Sequence, residues 1–208
     1  AYTPGTVYLT RLINPDGTLG DWGANATPLV KQSDTLWSQT FNTLDGTVVE
    51  FKFARGTWET VIKDADGNLE LPNLSFTVDY GTDGTQVYAY TVLNWRDPIV
   101  TAHTPLDGAV DVPLDTPVTV TWNQSMPATT CLALSGGGGV VSGTCAYDDA
   151  TFTVTFTPDA PLAYDTAYTV NISGQLDAGG DTQQVPVTFG FTTVQPALKY
   201  YYFPVIQR

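Results

Sequence analysis

Apolar and polar residues alternate with a period of two through most of the chain, and the alternation stops at short runs rich in Gly, Asp and Pro. That period sends successive side chains to opposite faces of an extended backbone, so it predicts half-buried β-strands. In the first half the candidate strands are 6–12, 35–41, 48–55, 74–79 and 86–93. Between them stand Pro15-Asp16-Gly17, Asp45-Gly46, Asp66-Gly67 and Asp83-Gly84. In such turns glycine accepts positive φ and aspartate bonds its own backbone. No stretch carries a helical period, and the pattern predicts a β-sandwich.

The run Asn94-Trp95-Arg96-Asp97-Pro98 closes this first series, and a second series begins at 99–103. Strands are expected at 117–122, 151–158, 167–173 and 185–192, with weaker ones at 131–134 and 140–143. About seven short strands with regular turn signals predict an immunoglobulin-like sandwich. The reading is therefore all-β: two immunoglobulin-like β-sandwich domains in tandem, 1–98 and 99–194, followed by an aromatic C-terminal tail, 195–208. The glycine run 135–139 lacks the Lys-Ser/Thr ending of a phosphate loop and reads as a hairpin tip.

Two tryptophans stand outside the simple alternation. Trp22 and Trp58 lie in turn-rich stretches beside strands, where a large aromatic is free to meet a ligand. A pyranose offers a flat C–H face to an indole and a rim of hydroxyls to polar groups, and Lys52, Glu59 and Asn73 are near enough in sequence to serve that rim. Trp37 and Trp122, inside alternating strands, are expected in cores, and Trp95 at the junction of the two domains.

Charge narrows the partner. With 8 basic and 21 acidic residues the formal net charge is −13, which excludes nucleic acid and anionic membrane surfaces as electrostatic partners. No apolar run reaches membrane-spanning length, so no membrane insertion is expected. The only cysteines, Cys131 and Cys145, flank the glycine loop. They predict a disulfide, with two free thiols as the alternative. Closing a loop of about 15 residues is worth roughly 3 kcal/mol in a chain-entropy account, and such bonds persist outside the cytosol. The protein is accordingly read as secreted or displayed on the cell surface.

Other chemistries find little footing. Asp64-Ala65-Asp66-Gly67-Asn68 with Glu70 has a faint likeness to a calcium loop, yet lacks the flanking helices and reads as a hairpin turn. His103 is the single histidine, which leaves neither a zinc site nor a Ser-His-Asp triad much to build on. No cofactor and no metal are expected. Two-carboxylate glycoside hydrolysis is the one serious enzymatic alternative, but the three glutamates Glu50, Glu59 and Glu70 all fall in one small sandwich without a sign of a cleft.

The motifs VYL, LGDW, SDTLW, VVEFKFARGTWE, LPN and VLNWRD, in that order from about residue 5 to residue 97, resemble a family 20 carbohydrate-binding module, the starch-binding domain of amylases and glucoamylases. The resemblance implies an α-1,4-glucan site built from Trp22, Lys52, Trp58, Glu59 and Asn73. Leu74 stands where an arginine is common, the hairpin after Glu59 is extended, and 31–35 lacks the tyrosines of the family's second site. The blocks HTPLDGAVDVPLDTPVTVTWNQSM, FTVTFTPDAPLAYDTAYTVNIS and FGFTT resemble a bacterial Ig-like domain, which implies a spacer. Together these imply a non-catalytic, monomeric, starch-binding fragment of a larger glycoside hydrolase. The rival is a cell-surface structural or adhesive protein without a sugar site.

Overall fold

The structure, a computed structural model, describes residues 5–65, 67 and 69–197. The aromatic stretch 198–208 of the tail, and Asp66 and Asn68 of the calcium-like run, lie outside the described residues. The described chain is all-β, with one 3-10 turn at Trp58–Thr60.

The first nine strands are β1 (Tyr8–Ile13), β2 (Leu19–Pro28), β3 (Val30–Ser33), β4 (Leu36–Ser38), β5 (Val48–Phe51), β6 (Phe53–Ala54), β7 (Ile62–Lys63), β8 (Leu74–Thr77) and β9 (Asn94–Trp95). They pair only among themselves, as β2-β1-β6, β3-β4, β5-β8 and β7-β9. Three apolar clusters fill the space between: Leu9, Ile13, Val49, Phe51 and Val78 in one, Val7, Ile62, Trp95 and Ile99 in another, and Ala24, Ala54 and Val61 in a small third. Leu29, Phe53 and Leu74 touch the first two and join them. Ile99 lies beyond Pro98, so the core of the first sandwich takes a residue from the far side of the sequence-derived boundary.

Two elements depart from the alternation. Strand β2 runs through LGDWGANATP, a stretch of glycine, alanine and asparagine with weak strand propensity, so Trp22 sits on a strand rather than in a turn. Its pairing with β1 shifts register twice, around Arg11, which is how a poor strand former follows its partner. The expected strand 86–93 has no ladder pairing among the described residues. Its period of two is nevertheless used in packing. Tyr88 stacks on Phe76 at 4.7 Å between centroids, Tyr90 on Phe53 at 5.6 Å, and Val92 packs against the Trp95 cluster.

The remaining strands are β10 (Val100–Thr104), β11 (Ala109–Val112), β12 (Val118–Trp122), β13 (Ala133–Gly136), β14 (Gly139–Val140), β15 (Gly143–Asp148), β16 (Thr153–Pro158), β17 (Ala167–Ile172) and β18 (Val187–Thr193). They form a sandwich of a four-stranded sheet, β10-β12-β16-β15, and a five-stranded sheet, β11-β18-β17-β13-β14. One cluster drawn from both sheets, including Trp122, Leu134, Val154, Phe156, Val170, Phe189 and Phe191, is the core. The glycine run is the β13–β14 hairpin: Gly136 pairs with Gly139, and Gly137 and Gly138 turn the chain at φ 59° and 96°, which a Cβ would disfavour.

A disulfide joins Cys131, just ahead of β13, to Cys145 on β15, with Cα atoms 5.3 Å apart. It therefore ties one sheet of the sandwich to the other. Reduction should cost about 3 kcal/mol of stability and lower the second sandwich's melting temperature. Melts with and without reductant, with thiol titration of the unreduced protein, check this; two reactive thiols in unreduced native protein would refute it.

Candidate functional site

Strand β1 organises the neighbourhood of the predicted sugar residues. On one side its Arg11 pairs with Trp22 of β2, and the guanidinium carbon lies 5.4 Å from the indole centroid, a cation–π contact that covers part of the ring. On the other side Thr10 is locked to Lys52 twice, the Thr10 N–H donating to the Lys52 carbonyl at 3.0 Å and the Lys52 N–H to the Thr10 hydroxyl at 2.8 Å. Adjacent strands lie about 4.8 Å apart, so the backbones of Trp22 and Lys52 are separated by roughly 10 Å.

Trp58 and Glu59 are carried by the 3-10 turn. Thr60 fixes it: the Thr60 N–H and hydroxyl both donate to the Thr57 carbonyl, at 3.1 and 2.8 Å, and the Arg55 N–H donates to the Thr60 hydroxyl at 3.0 Å. Thr60 is buried while Trp58 and Glu59 are exposed, so the turn presents them to solvent on a fixed backbone. Asn73, also exposed, leads into β8. Because Phe51 pairs with Leu74, Lys52 and Asn73 leave the same end of the β5–β8 ladder.

Exposure separates the tryptophans. Trp22 is 39% and Trp58 46% exposed, whereas Trp95 is 1% and Trp122 2% exposed; Trp37 is half-buried with Lys31 over its ring. Trp95 packs within the first core, beside Ile99, and Trp122 and Trp37 pack against apolar clusters. Among the described residues no hydrogen bond joins any two of Trp22, Lys52, Trp58, Glu59 and Asn73. The hollow of about 180 Å³ lined by Val141, Pro161, Leu162 and Tyr168 and the one of about 50 Å³ lined by Lys63, Gln124 and Asp177 contain none of the five. The candidate site is open surface.

Sequence reasoning did not foresee the ionic framework beside it. The Lys52 ammonium, with only 12% of its side chain exposed, is bonded to the Glu70 carboxylate. The other Glu70 oxygen lies 3.8 Å from Arg96, and Arg96 Nε donates to Asp181 at 2.9 Å. Lys63 donates to the second Asp181 oxygen at 2.7 Å. The Asp181 N–H in turn bonds Asp177 at 2.7 Å, and Gln124 donates to Asp177 at 2.6 Å and to the Arg96 carbonyl at 3.0 Å. Gly67 fits here because it lacks a side chain: a Cβ would lie 2.6 Å from Gln124 Oε1.

These are long-range partners, 118 residues apart for Lys63 and Asp181, and no local pattern marks them. Among the described residues, no group of three or more His, Cys, Asp or Glu is placed to hold a metal ion, and no helix is long and apolar enough to cross a membrane.

Residues 95–193 match the bacterial Ig-like domain family. The match covers the whole second sandwich and starts at Trp95, whose side chain belongs to the first core. Over 100 residues the chain is 34% identical to an amylopullulanase of Thermoanaerobacter thermohydrosulfuricus, covering 47% of this chain and 7% of that protein. An amylopullulanase of Thermoanaerobacterium thermosulfurigenes is 32% identical over 104 residues, 50% of this chain and 5% of the relative. An alpha-amylase of Niallia circulans is 34% identical over 97 residues, 45% of this chain and 7% of the relative. The chain thus spans only a small part of the length of these curated relatives.

At the junction between the second sandwich and the preceding one, two carboxyls are shifted in opposite directions. Burial pushes the Asp181 carboxyl up, but the hydrogen bonds and charges of Lys63 and Arg96 outweigh it and hold the carboxyl below its ordinary range. Burial raises the Asp177 carboxyl, against bonds and charge that pull it down. A depressed folded pKa means that Asp181 contributes stability above the ordinary aspartate value near 3.9 and loses it as pH falls through the folded value. Asp177 acts in the opposite sense, since its raised pKa favours the protonated form in the folded state. Wild type should therefore melt above Asp181→Asn at pH 7, and the gap should close below about pH 4. Melting both proteins from pH 7 to 2.5 checks this, and a gap independent of pH would contradict it.

Proposed function

We propose that this chain is a non-catalytic glucan-binding segment of a larger secreted amylolytic enzyme, with 1–98 as a family 20 carbohydrate-binding module, 99–194 as an Ig-like unit and 195–208 as a tail. The observation that carries the reading is the exposure of Trp22 and Trp58 on rigid backbone, at 39% and 46%, while Trp95 and Trp122 of the same chain are buried. An exposed indole offers a broad apolar face and an N–H to a ligand, which is why tryptophan is enriched at contact sites. Relatives named as amylopullulanase and alpha-amylase, of which this chain spans 5–7%, support a role in α-glucan degradation outside the catalytic centre.

In this reading the two indoles stack on successive glucose rings of a starch-type chain, and Lys52, Glu59 and Asn73 bond the hydroxyls. Lys52 keeps spare N–H groups for this, because an ammonium has three donors. An open site desolvates little surface and binds weakly; held on an insoluble polymer, it raises the local concentration of whatever is joined to it.

The rival reading is a cell-surface structural or adhesive protein in which both sandwiches are spacers and there is no sugar site. Calorimetric titration of the whole chain with β-cyclodextrin, with a pull-down on insoluble starch, tests the proposal. Saturable binding is expected, and none at millimolar ligand rejects it in favour of the spacer. Cooperative melts of 1–98 and 99–208 expressed separately test the division, and the burial of Ile99 in the first core predicts a lower melt for 1–98 than for 1–99.

A further inference from the structure

We propose that Arg96 is a further sugar-contacting residue, held in position by Asp181 of the Ig-like sandwich, so that glucan recognition draws on both sandwiches; this rests on the glucan reading above. Among the described residues, Arg96 is the guanidinium that the ionic framework leaves at the surface. Its side chain is 37% exposed, against 2% for Arg55. Its Nε is spent on Asp181 at 2.9 Å, but among the described residues its terminal amino groups make no hydrogen bond, the Glu70 oxygen being 3.8 Å away.

The surroundings are those of the proposed rim. Glu70, on the other side of that gap, is bonded to Lys52, and Glu59 lies within coulombic range of Arg96. The Arg96 N–H donates to the Val61 carbonyl at 2.8 Å, immediately after the turn that carries Trp58 and Glu59. A planar fork of free N–H donors matches a pair of neighbouring pyranose hydroxyls, and a fork already immobilised loses less freedom on binding. That immobilisation comes from the second sandwich. Asp181 is itself fixed by Lys63 and, through its N–H, by Asp177. Asp181 is thus a positioning residue for Arg96, and the Ig-like sandwich is more than a spacer.

The test is a double-mutant cycle in the whole chain. Wild type, Arg96→Gln, Asp181→Asn and the double variant are titrated with β-cyclodextrin, and each is melted. Each single change should weaken binding about 5- to 10-fold, and Asp181→Asn should add no further loss once Arg96 is gone, the mark of a coupled pair. Leu134→Ala, in the core of the second sandwich, should lower the melt without changing affinity.

Should Arg96→Gln fail to fold, Arg96→Lys keeps the charge, lacks the fork and should weaken binding to a similar degree. Wild-type affinity in Asp181→Asn, or losses that simply add in the double variant, overturns the proposal and leaves the glucan reading standing. Absence of binding by wild type removes both.

Discussion

Replacing Trp58 with alanine should weaken β-cyclodextrin binding by about 5- to 150-fold and move the melting temperature little, and Trp22→Ala should do the same. The scale is that of one stacked ring, on the order of 1–3 kcal/mol, taken from aromatic stacking on flat nucleobases. With a weak starting affinity, such a loss reads as abolition of binding. The expectation of a small stability change rests on geometry. Both side chains are substantially exposed, and the turn beneath Trp58 is held by Thr57 and Thr60, which the substitution leaves in place.

A core tryptophan behaves oppositely: truncation costs about 3–5 kcal/mol, lowers the melt and leaves affinity per folded molecule unchanged. Trp95→Ala supplies that comparison within the same protein. Titration and melting of the three variants together decide the matter, and an unchanged affinity in both Trp22→Ala and Trp58→Ala would remove the indoles from the site.

A large loss of stability is also expected from Asp97→Ala. Arg55, just after β6, donates from Nη2 to both carboxylate oxygens of Asp97, and the two side chains are 2% and 0% exposed. The same guanidinium lies 5.5 Å from the Trp95 ring centroid, inside the wall of the first core. Removing one partner of a buried pair takes away its charge-assisted hydrogen bonds and costs about 3–5 kcal/mol. For a domain of this size each kcal/mol moves the melt by about 4–8 °C, so the first transition should fall by more than about 10 °C. Replacing both partners with apolar residues should recover part of the loss, because the desolvation penalty of the pair then disappears. A drop of only a few degrees in Asp97→Ala would show that solvent or another group takes over the Arg55 charge.

Much of the fold was legible in the chain. Strands β5, β8, β12, β16, β17 and β18 fall where the alternation put them, because the period of two is local and survives into the sheet. The glycine tip between β13 and β14 was legible for the same reason, since positive φ at Gly137 and Gly138 is a property of those residues. Strand β2 was not, because its residues have weak strand propensity and the neighbouring β1 imposes the conformation. The segment 86–93 was half legible. Its alternation survives in the packing of Tyr88, Tyr90 and Val92 against neighbouring side chains, but such packing does not require ladder hydrogen bonds.

At the candidate site the division is similar. The amino-acid sequence by itself determined that the protein is all-β, that Trp22, Trp58, Lys52, Glu59 and Asn73 are the residues to ask about, and that Cys131 and Cys145 are the pair to join. Each of these follows from composition, local period or motif order, which need no knowledge of distant neighbours. Only the tertiary structure decided that Trp22 lies on a strand under Arg11, that Lys52 is held by Glu70, and that Arg96 and Lys63 reach across to Asp181. Those contacts join residues 11 to 118 positions apart, and an ion pair leaves no periodic trace in either segment. Its partner is chosen by how the two sandwiches pack, and that choice is made by all their buried surface together.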